Sequence, residues 1–283
     1  MRVLVTGGAG FLGTHVCETL RGKGIEPLSF DRRNPTDFLG DTRDATAVSE
    51  AVALCGGVIH LAGVLGTQET VDNPDPAVET NIVGGLNVFK AVNQYDVPAV
   101  YIAVGNHWMN NAYSITKTCA ERFALMANAE WGTRIAVVRA LNAYGPGQKA
   151  APVRKIVPNL VLSALRGEPV TVYGDGEQVM DMIYAADVGE ILTRALLVEH
   201  GVYGEVFEAG TGRPTTVNDV ARMVLSLIGG GEIEHVAMRP GEPRGSVVLG
   251  DPKTLAPLGL RASDLVPLEQ GLERAILYYR GLQ

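Results

Sequence analysis

The sequence is poor in cysteine and in aromatic residues. Only three of the 283 residues are cysteines, and 6% are aromatic. Cys17, Cys55 and Cys119 are odd in number, far apart and set among apolar residues. We therefore expect buried free thiols in a reducing compartment and no disulfide framework. The five histidines show no metal-ligand spacing among themselves or with the cysteines, so we predict no metal site.

Dense basic runs and long apolar runs are also missing. The formal net charge is -7 at pH 7, which argues against a nucleic-acid-binding surface. No apolar stretch approaches the roughly 20 residues that a membrane-spanning helix needs. The first residues, MRVLVTGG, enter a strand at once, which is not typical of a signal peptide. We expect a cytoplasmic protein with no nucleic-acid or membrane partner.

Short β-branched runs alternate with segments of helical periodicity. The sequence predicts strands over 2–6, 25–31, 56–63, 98–105 and 134–142, and helices ending near residue 20 and covering 75–95 and 113–132. Strands that alternate with helices form βαβ units, and these build a parallel sheet. The fold class is therefore predicted to be α/β.

A glycine-rich turn follows the first predicted strand and leads into a helix. In VLVTGGAGFLG, Gly7, Gly10 and Gly13 allow a tight turn and a close approach to a pyrophosphate. The free N–H groups at the start of the helix then bind the anion. Asp31 closes the second strand roughly 20 residues later, where a carboxylate accepts the ribose hydroxyls of NAD and repels a 2′-phosphate. The pattern predicts an NAD site, and Arg32 leaves NADP open.

The pattern of predicted elements changes after about residue 142, where Pro/Gly loops separate short elements. We predict a Rossmann-type doubly wound parallel sheet with a smaller α/β substrate-binding lobe. The NAD-binding domain is predicted over residues 1–145, with part of 178–210 added back to it. The lobe is predicted over 146–177 and 211–283.

A series of short motifs runs in order from residue 6 to about residue 242. They are TGGAGFLG, GDTRD, VIHLAG, NPDPAVETNIVGGLNV, YSITK, RIAVVRALNAYGPGQ, VYGDGEQVMDMIYAADV, FEAGTG and RPGE. With this series the chain resembles the extended short-chain dehydrogenase/reductase family, the NAD-dependent nucleotide-sugar epimerases and dehydratases. The resemblance implies NAD as cofactor, a nucleotide sugar as substrate and a homodimer.

The resemblance also implies a role for each matching residue. The implied cofactor-binding residues are Gly7, Gly10, Phe11, Leu12, Asp31, Arg32, Asp41, Thr42, Leu61, Ala62, Gly63, Asn81, Tyr113 and Lys117. The implied substrate-binding residues are Asn106, His107, Asn142, Thr171, Tyr173 and Arg239. Among the second set, Arg239 in RPGE is expected to pair with a phosphate oxygen, which suits a planar guanidinium.

Tyr113 and Lys117, in NNAYSITK, match the family's Y-x-x-x-K pair. Residues four apart lie on one face of a helix, although spacing alone also fits two unrelated surface residues. The resemblance makes Tyr113 the base that takes a proton from a sugar hydroxyl while hydride leaves the same carbon for NAD. A nearby ammonium and the positive nicotinamide are expected to lower the tyrosine pKa from about 10.

The strand before the tyrosine helix departs from the family pattern. The family usually places Ser or Thr at its end, and that hydroxyl hydrogen-bonds the reacting oxygen. Here the strand ends in Ala103, Val104 and Gly105, and the candidates for a replacement donor are Asn106 and His107. Whether either replaces the hydroxyl is open at the level of sequence.

A second departure concerns the substrate diphosphate. Met180 stands where the family commonly has an arginine that grips the diphosphate. Arg154, Lys155 and Arg244 are candidates to compensate, and each taken singly is also an ordinary surface charge.

The segment GNHWMNNAY contains no Asp or Glu. Dehydratases and decarboxylases of the family carry a carboxylate there, so dehydration is disfavoured. We predict an NAD-dependent nucleotide-sugar epimerase that acts through a transient keto intermediate. The alternatives are an NAD(P)-dependent keto-sugar reductase, a sugar-nucleotide dehydratase, and a cofactor-binding protein with little catalysis.

Overall fold

The computed structural model describes residues 1–198, 203–243 and 245–282. The strands are β1 (Arg2–Thr6), β2 (Glu26–Asp31), β3 (Phe38–Leu39), β4 (Val58–His60), β5 (Ala99–Val104), β6 (Ile135–Ala140), β7 (Asn142–Tyr144), β8 (Val170–Tyr173), β9 (Val179–Met180), β10 (Met182–Tyr184), β11 (Val206–Ala209), β12 (Thr215–Thr216), β13 (Ile233–Val236) and β14 (Val247–Val248). The helices are α1 (Phe11–Gly22), α2 (Ala45–Ala53), α3 (Asp75–Ala77), α4 (Gly84–Tyr95), α5 (Ala112–Trp131), α6 (Ile156–Leu165), α7 (Ala185–Leu197), α8 (Val217–Ile228) and α9 (Leu268–Arg280). A π-helical segment, Val78–Val83, joins α3 to α4.

Seven parallel strands form the large sheet, in the order β11-β6-β5-β4-β1-β2-β3. The chain runs outward from β1 to β3 and then returns to place β4 on the other side of β1. The strand order therefore reverses at β1 and β4, and ligands of open α/β sheets bind beyond the carboxyl ends of the strands at such a point. This topology confirms the predicted α/β fold with a Rossmann-type doubly wound sheet.

Both faces of the large sheet are covered by helices, as a parallel sheet requires. Val3 and Val5 of β1 point into a core that also contains apolar residues of α1 and α7. Leu4, between them, points into a second core with residues of α2, α4 and α5. Because side chains alternate between the two faces of a strand, one short apolar run contributes residues to both cores.

A third core builds the smaller lobe from α6, α8, α9, β8 and β10. Its buried members include Tyr144, Val161, Val172, Val224 and Ile276. Two later segments return to the large sheet. The strand β11 pairs with β6, and leucines of 252–265 pack in the α1 and α7 core although that range falls within the predicted lobe.

Asp181 connects the lobe to the sheet. Its carboxylate is fully buried. It accepts hydrogen bonds from Thr211 N and Oγ1, both at 2.7 Å, from Gly212 N at 2.8 Å and from Gly250 N at 3.2 Å. Charge-assisted bonds of this kind are about twice as strong as neutral ones, so Asp181 fixes the loops after β11 and β14 against β10.

Within the described ranges, no helix has the length and apolar character that a membrane crossing needs.

Candidate active site

A cavity of about 1390 Å³ opens at the carboxyl ends of β1, β2, β4, β5 and β6, and the lobe supplies the rest of its wall. The predicted site residues that line it are Gly7, Gly10, Phe11, Leu12, Asp31, Arg32, Asp41, Thr42, Leu61, Ala62, Gly63, Asn106, Tyr113, Lys117, Asn142, Thr171, Tyr173 and Arg239. Asn81 and His107 lie outside this lining. Almost all of the residues named from the sequence are therefore brought to one cavity.

The glycine turn leaves room for a phosphate group. Gly7 has a φ of 73°, and a Cβ there would lie 2.9 Å from Ala62 N. A Cβ on Gly13 would collide with Gly7 O. The residue that caps α1, Gly10, has no side chain to occupy the first helical N–H groups. Gly10, Phe11, Leu12 and Gly13 line the cavity, so the start of α1 fits the pyrophosphate of a dinucleotide.

Asp31 presents its carboxylate at the end of β2. The side chain is 7% exposed. Its Oδ2 accepts a hydrogen bond from Ala9 N at 3.2 Å, and its Oδ1 accepts one from Arg33 N at 3.1 Å. Nearby, Arg43 donates to Asp41 and holds the pKa of that carboxyl below its usual value. A fixed carboxylate beside the phosphate turn fits the ribose hydroxyls of NAD, so the residues present suit this cofactor.

The loop after β4 is held from below by residues that sequence reasoning did not name. Thr6 Oγ1 accepts hydrogen bonds from Leu61 N and Ala62 N, each at 3.2 Å, and lies 2.6 Å from His60 Nδ1. Burial and the charge of Lys117 lower the pKa of His60 to about 3, so the imidazole is neutral. The motif VIHLAG contained His60, but its partner lies 54 residues away in the sequence.

Asn81 acts through this loop and makes no contact with the cavity. Its Oδ1 accepts a hydrogen bond from Val64 N at 2.8 Å, and its Nδ2 donates to Val64 O at 3.1 Å and to Thr116 Oγ1 at 3.0 Å. The side chain thereby ties the loop to α5. The resemblance placed Asn81 among the cofactor-binding residues, and these contacts put it behind the loop that lines the cavity.

Tyr113 and Lys117 lie in the first two turns of α5. The helix begins after Asn111, whose Oδ1 accepts a hydrogen bond from Ser114 N at 2.9 Å. Lys117 is 3% exposed, and its Nζ lies 4.3 Å from the centroid of the Tyr101 ring. The Tyr101 hydroxyl donates to Lys117 O at 3.1 Å. An aromatic floor from β5 thus holds the lysine by a cation–π contact and a hydrogen bond.

Burial disfavours the charged forms of Tyr113 and Lys117 and shifts both pKa values accordingly. It raises the pKa of Tyr113 to about 12 and lowers the pKa of Lys117 to about 7, with Glu121 opposing the second change. The sequence predicted a lowered tyrosine pKa. The chain by itself produces the opposite change, because burial removes the tyrosine hydroxyl from water and disfavours the phenolate.

The segment between β5 and α5 places one of the two candidate replacement donors in the cavity lining and the other outside it. Asn106 lines the cavity. His107 is turned away from it, with Nδ1 3.2 Å from Gly105 O, and its own carbonyl accepts a hydrogen bond from Thr118 Oγ1. Trp108 is 50% exposed and also lies outside the cavity lining.

The lobe gathers positive charge around Tyr173. The guanidinium of Arg239 lies 4.9 Å from the ring centroid, and that of Arg154 lies 5.8 Å away and donates to the hydroxyl. Lys155 and Met180 line the same end of the cavity. Two of the three candidates to compensate for Met180 therefore reach the site. The third, Arg244, lies outside the described residues.

Two buried polar atoms at this end have no partner among the described residues. They are Gln178 Oε1 and Arg239 Nε. Gln178 Nε2 donates to Tyr173 O at 3.2 Å, which fixes the amide beside the aromatic ring. One free acceptor and one free donor next to a ring suit a flat polar group such as a nucleobase. Gln178 was inside a motif quoted from the sequence, but nothing local distinguished it.

No group of three or more His, Cys, Asp or Glu side chains is placed to hold a metal ion within 1–198, 203–243 and 245–282.

A sequence model described as the NAD dependent epimerase/dehydratase family matches residues 3–210. The chain belongs to this family. The family assignment made from the motif series is thereby confirmed. NAD is the cofactor, as predicted.

Relatives within the epimerase/dehydratase family differ in the reaction they perform. UDP-N-acetyl-alpha-D-glucosaminuronate decarboxylase from Bacillus cytotoxicus is 26% identical, with 100% of this chain and 98% of the relative covered. dTDP-glucose 4,6-dehydratase from Mycobacterium tuberculosis is 27% identical, with 99% and 93% covered. The structure of UDP-glucose 4-epimerase from Thermus thermophilus in complex with NAD matches with a TM-score of 0.89 and 28% identity, and 100% of each chain is covered. The chain is therefore an enzyme of the nucleotide-sugar epimerase/dehydratase family.

Proposed function

We propose that this enzyme is an NAD-dependent nucleotide-sugar epimerase that acts through a transient keto sugar. One observation carries the choice among the family's reactions. The segment 103–112, which forms the wall of the cavity next to Tyr113, contains no carboxylate. Elimination and decarboxylation need a further acid or base at the sugar, whereas epimerisation needs only hydride transfer and one proton carrier.

Tyr113 is that proton carrier. Its phenolate takes the proton of the sugar hydroxyl as the carbinol carbon is oxidised to a ketone, and the phenol returns the proton when the ketone is reduced from the other face. When bound by the glycine turn and Asp31, NAD would supply the redox chemistry, as acceptor and donor of the hydride. Substrate and product have the same atoms, so no cofactor is consumed. Lys117 supplies a positive charge on the same helix face, which favours the phenolate.

The far end of the cavity supports a nucleoside diphosphate as the part of the substrate that binds there. Arg239, Arg154 and Lys155 supply positive charge, and Tyr173 supplies a ring face. Guanidinium groups pair well with phosphate oxygens. Relatives that act on UDP-linked and dTDP-linked sugars support both nucleotides as candidates.

The test is proton NMR of the purified enzyme with NAD and a panel of UDP-sugars and dTDP-sugars. New anomeric signals are expected, and Tyr113→Phe should slow their appearance by about 10²- to 10⁴-fold. Tyr95→Phe is the matched control, because Tyr95 is an exposed residue at the end of α4. The variant enzymes should retain the circular dichroism of the wild type.

Other products would assign a different reaction. Loss of water or carbon dioxide from the sugar would replace epimerisation by dehydration or decarboxylation. Stoichiometric oxidation of NADH by a keto sugar would make the enzyme a reductase. Tight NAD binding with unchanged spectra across the panel would leave a cofactor-binding protein with little catalysis.

A homodimer and a cytoplasmic location stay predictions. The exposed apolar side chains of Val78, Val83 and Ile115 support an interface that uses α5 and the π-helical segment before α4. Gel filtration at micromolar concentration should show a mass of two chains, and a mass of one chain would contradict the dimer.

A further inference from the structure

The end of β5 has no room for a side chain where a hydroxyl would be needed. Ala103 and Val104 carry no polar side-chain atom. Gly105 follows them, and a Cβ there would lie well under 3.0 Å from Leu141 Cδ1, 3.3 Å from its Cγ and 3.5 Å from its Cα. A serine or threonine at position 105 would therefore collide with Leu141, because contacts of real Cβ atoms below 3.0 Å essentially do not occur.

Leu141 also packs closely against two further glycines. A Cβ on Gly210 would lie 3.0 Å from Leu141 Cγ, and a Cβ on Gly250 would lie 3.0 Å from Leu141 Cδ2. The backbone of Leu141 is also held, since its N–H donates to Ala209 O at 3.1 Å. Leu141 therefore fills the space beside β5, and close-packed interiors tolerate little displacement.

The next residue, Asn106, carries a hydrogen-bonding group into the cavity. From segment 103–112 the lining residues are Ala103, Val104, Gly105, Asn106 and Met109, so Asn106 has the one amide among them. A tight turn fixes it, with Met109 N donating to Asn106 O at 3.0 Å and Asn106 Nδ2 donating to Met109 Sδ at 3.4 Å. A thioether is a weak acceptor, and the amide nitrogen has a second N–H for another partner.

We propose that Asn106 Nδ2 donates the hydrogen bond to the sugar oxygen at the reacting carbon, in place of a Ser or Thr hydroxyl. The inference rests on the proposed function. A hydroxyl can both donate and accept, whereas an amide nitrogen only donates. Asn106 stabilises negative charge that develops on the sugar oxygen but cannot carry its proton, so Tyr113 takes the proton directly.

The NAD-loaded full chain provides the test, with UDP-glucose and dTDP-glucose compared with UDP and dTDP by calorimetry. Asn106→Ala should weaken binding of the sugar nucleotide by about fivefold and leave the bare diphosphate unchanged, because one hydrogen bond to the sugar is lost. Turnover should fall by about 10²-fold, and Asn106→Asp should lower it further, since a carboxylate opposes a developing oxyanion. Asn110→Ala is the matched control, because Asn110 is exposed on the same segment and outside the cavity.

The outcomes separate this inference from the proposed function. Unchanged turnover and sugar-specific affinity in Asn106→Ala, with turnover abolished in Tyr113→Phe, would overturn the role of Asn106 and leave the epimerase standing. A sugar-specific loss of affinity in an enzyme that never epimerises would support the contact and overturn the epimerase. An equal loss of affinity for UDP and dTDP in Asn106→Ala would overturn the sugar-specific role of Asn106 and leave the epimerase standing.

A second, independent measurement tests whether the end of β5 has room for a hydroxyl at position 105. Gly105→Ser should lower the midpoint of thermal unfolding, and the companion change Leu141→Ala should make the serine better tolerated. If the serine is then placed against the cavity, the triple variant that adds Asn106→Ala should recover part of the turnover lost in Asn106→Ala alone. Full thermal stability in Gly105→Ser would contradict the packing argument.

Discussion

At the scale of single residues, Lys117 lies where its own charge is disfavoured. The side chain is almost fully buried between α5 and β5, above the Tyr101 ring. A cation–π contact of about 1–2 kcal/mol offsets only part of the desolvation of an ammonium. The lysine is thus prepared to gain its charge when a negative partner, such as the phenolate of Tyr113, is present.

The pH dependence of stability tests this burial. Burial lowers the pKa of Lys117 from 10.5 to about 7. Between these values the unfolded chain holds a proton that the folded chain has released, so the free energy of unfolding should rise as pH rises through the window. Lys117→Met lacks this penalty, so its advantage over the wild type should be largest below about pH 7 and shrink toward pH 10.5.

Urea unfolding of the NAD-free protein at several pH values measures the difference. Lys90→Met serves as the control, because Lys90 is exposed on α4 and its substitution should give a difference that does not change with pH. A pH-independent difference for Lys117→Met would contradict the burial of its ammonium.

At the scale of elements, the turn between β1 and α1 combines two demands on glycine. Gly7 needs a positive φ, and its backbone packs against the loop after β4. Gly22, the last residue of α1, has open space around it and meets neither demand. A methyl group added at Gly7 would therefore collide with neighbouring backbone, whereas one added at Gly22 would meet open space.

Gly7→Ala should lower NAD affinity by tenfold or more, because strain of roughly 1 kcal/mol adds to the collision with Ala62 N. Gly22→Ala should leave NAD affinity unchanged and stabilise the protein by about 0.5 kcal/mol, since alanine is the better helix former. Calorimetric titration with NAD and thermal unfolding measure the two effects. Equal NAD affinity in both variants would show that the turn does not approach the pyrophosphate.

At the scale of the whole molecule, the cavity exists because the lobe faces the carboxyl edge of the large sheet. The sheet supplies the glycine turn and α5 supplies Tyr113 and Lys117, while the lobe supplies Arg239, Lys155 and Tyr173. Arg239 pairs with Glu242. A diphosphate therefore has to compete with a carboxylate for this guanidinium, which favours a dianionic or trianionic ligand over a singly charged one.

Lys155→Met should weaken binding of UDP and dTDP by about tenfold and leave uridine and thymidine unaffected, because a charged hydrogen-bond donor to phosphate is removed. Burial lowers the pKa of Lys155, so phosphate binding should also weaken as pH rises. Lys253→Met is the control, since Lys253 is exposed and lies outside the cavity. An unchanged affinity for UDP and dTDP in Lys155→Met would assign the diphosphate to other residues.

Much of the site could be predicted from sequence because its parts are local. Gly7, Gly10 and Asp31 belong to one strand–turn–helix–strand unit, and Tyr113 and Lys117 share one helix. The supports could not be predicted, because they join distant segments. Thr6 and His60 are 54 residues apart, and the Tyr101 contact with Lys117 depends on how α5 packs on β5.

The sequence by itself determined the alternation of strands and helices and the glycine turn, since each follows from periodicity or spacing within one stretch of chain. The role predicted for Tyr113 came from the family resemblance, because spacing alone did not decide it. Tertiary structure decided which of Asn106 and His107 faces the cavity, and why Gly105 carries no side chain. It also decided the direction of the Tyr113 pKa change. These outcomes depend on desolvation and close contact, and both are produced by atoms that folding brings together from separate parts of the chain.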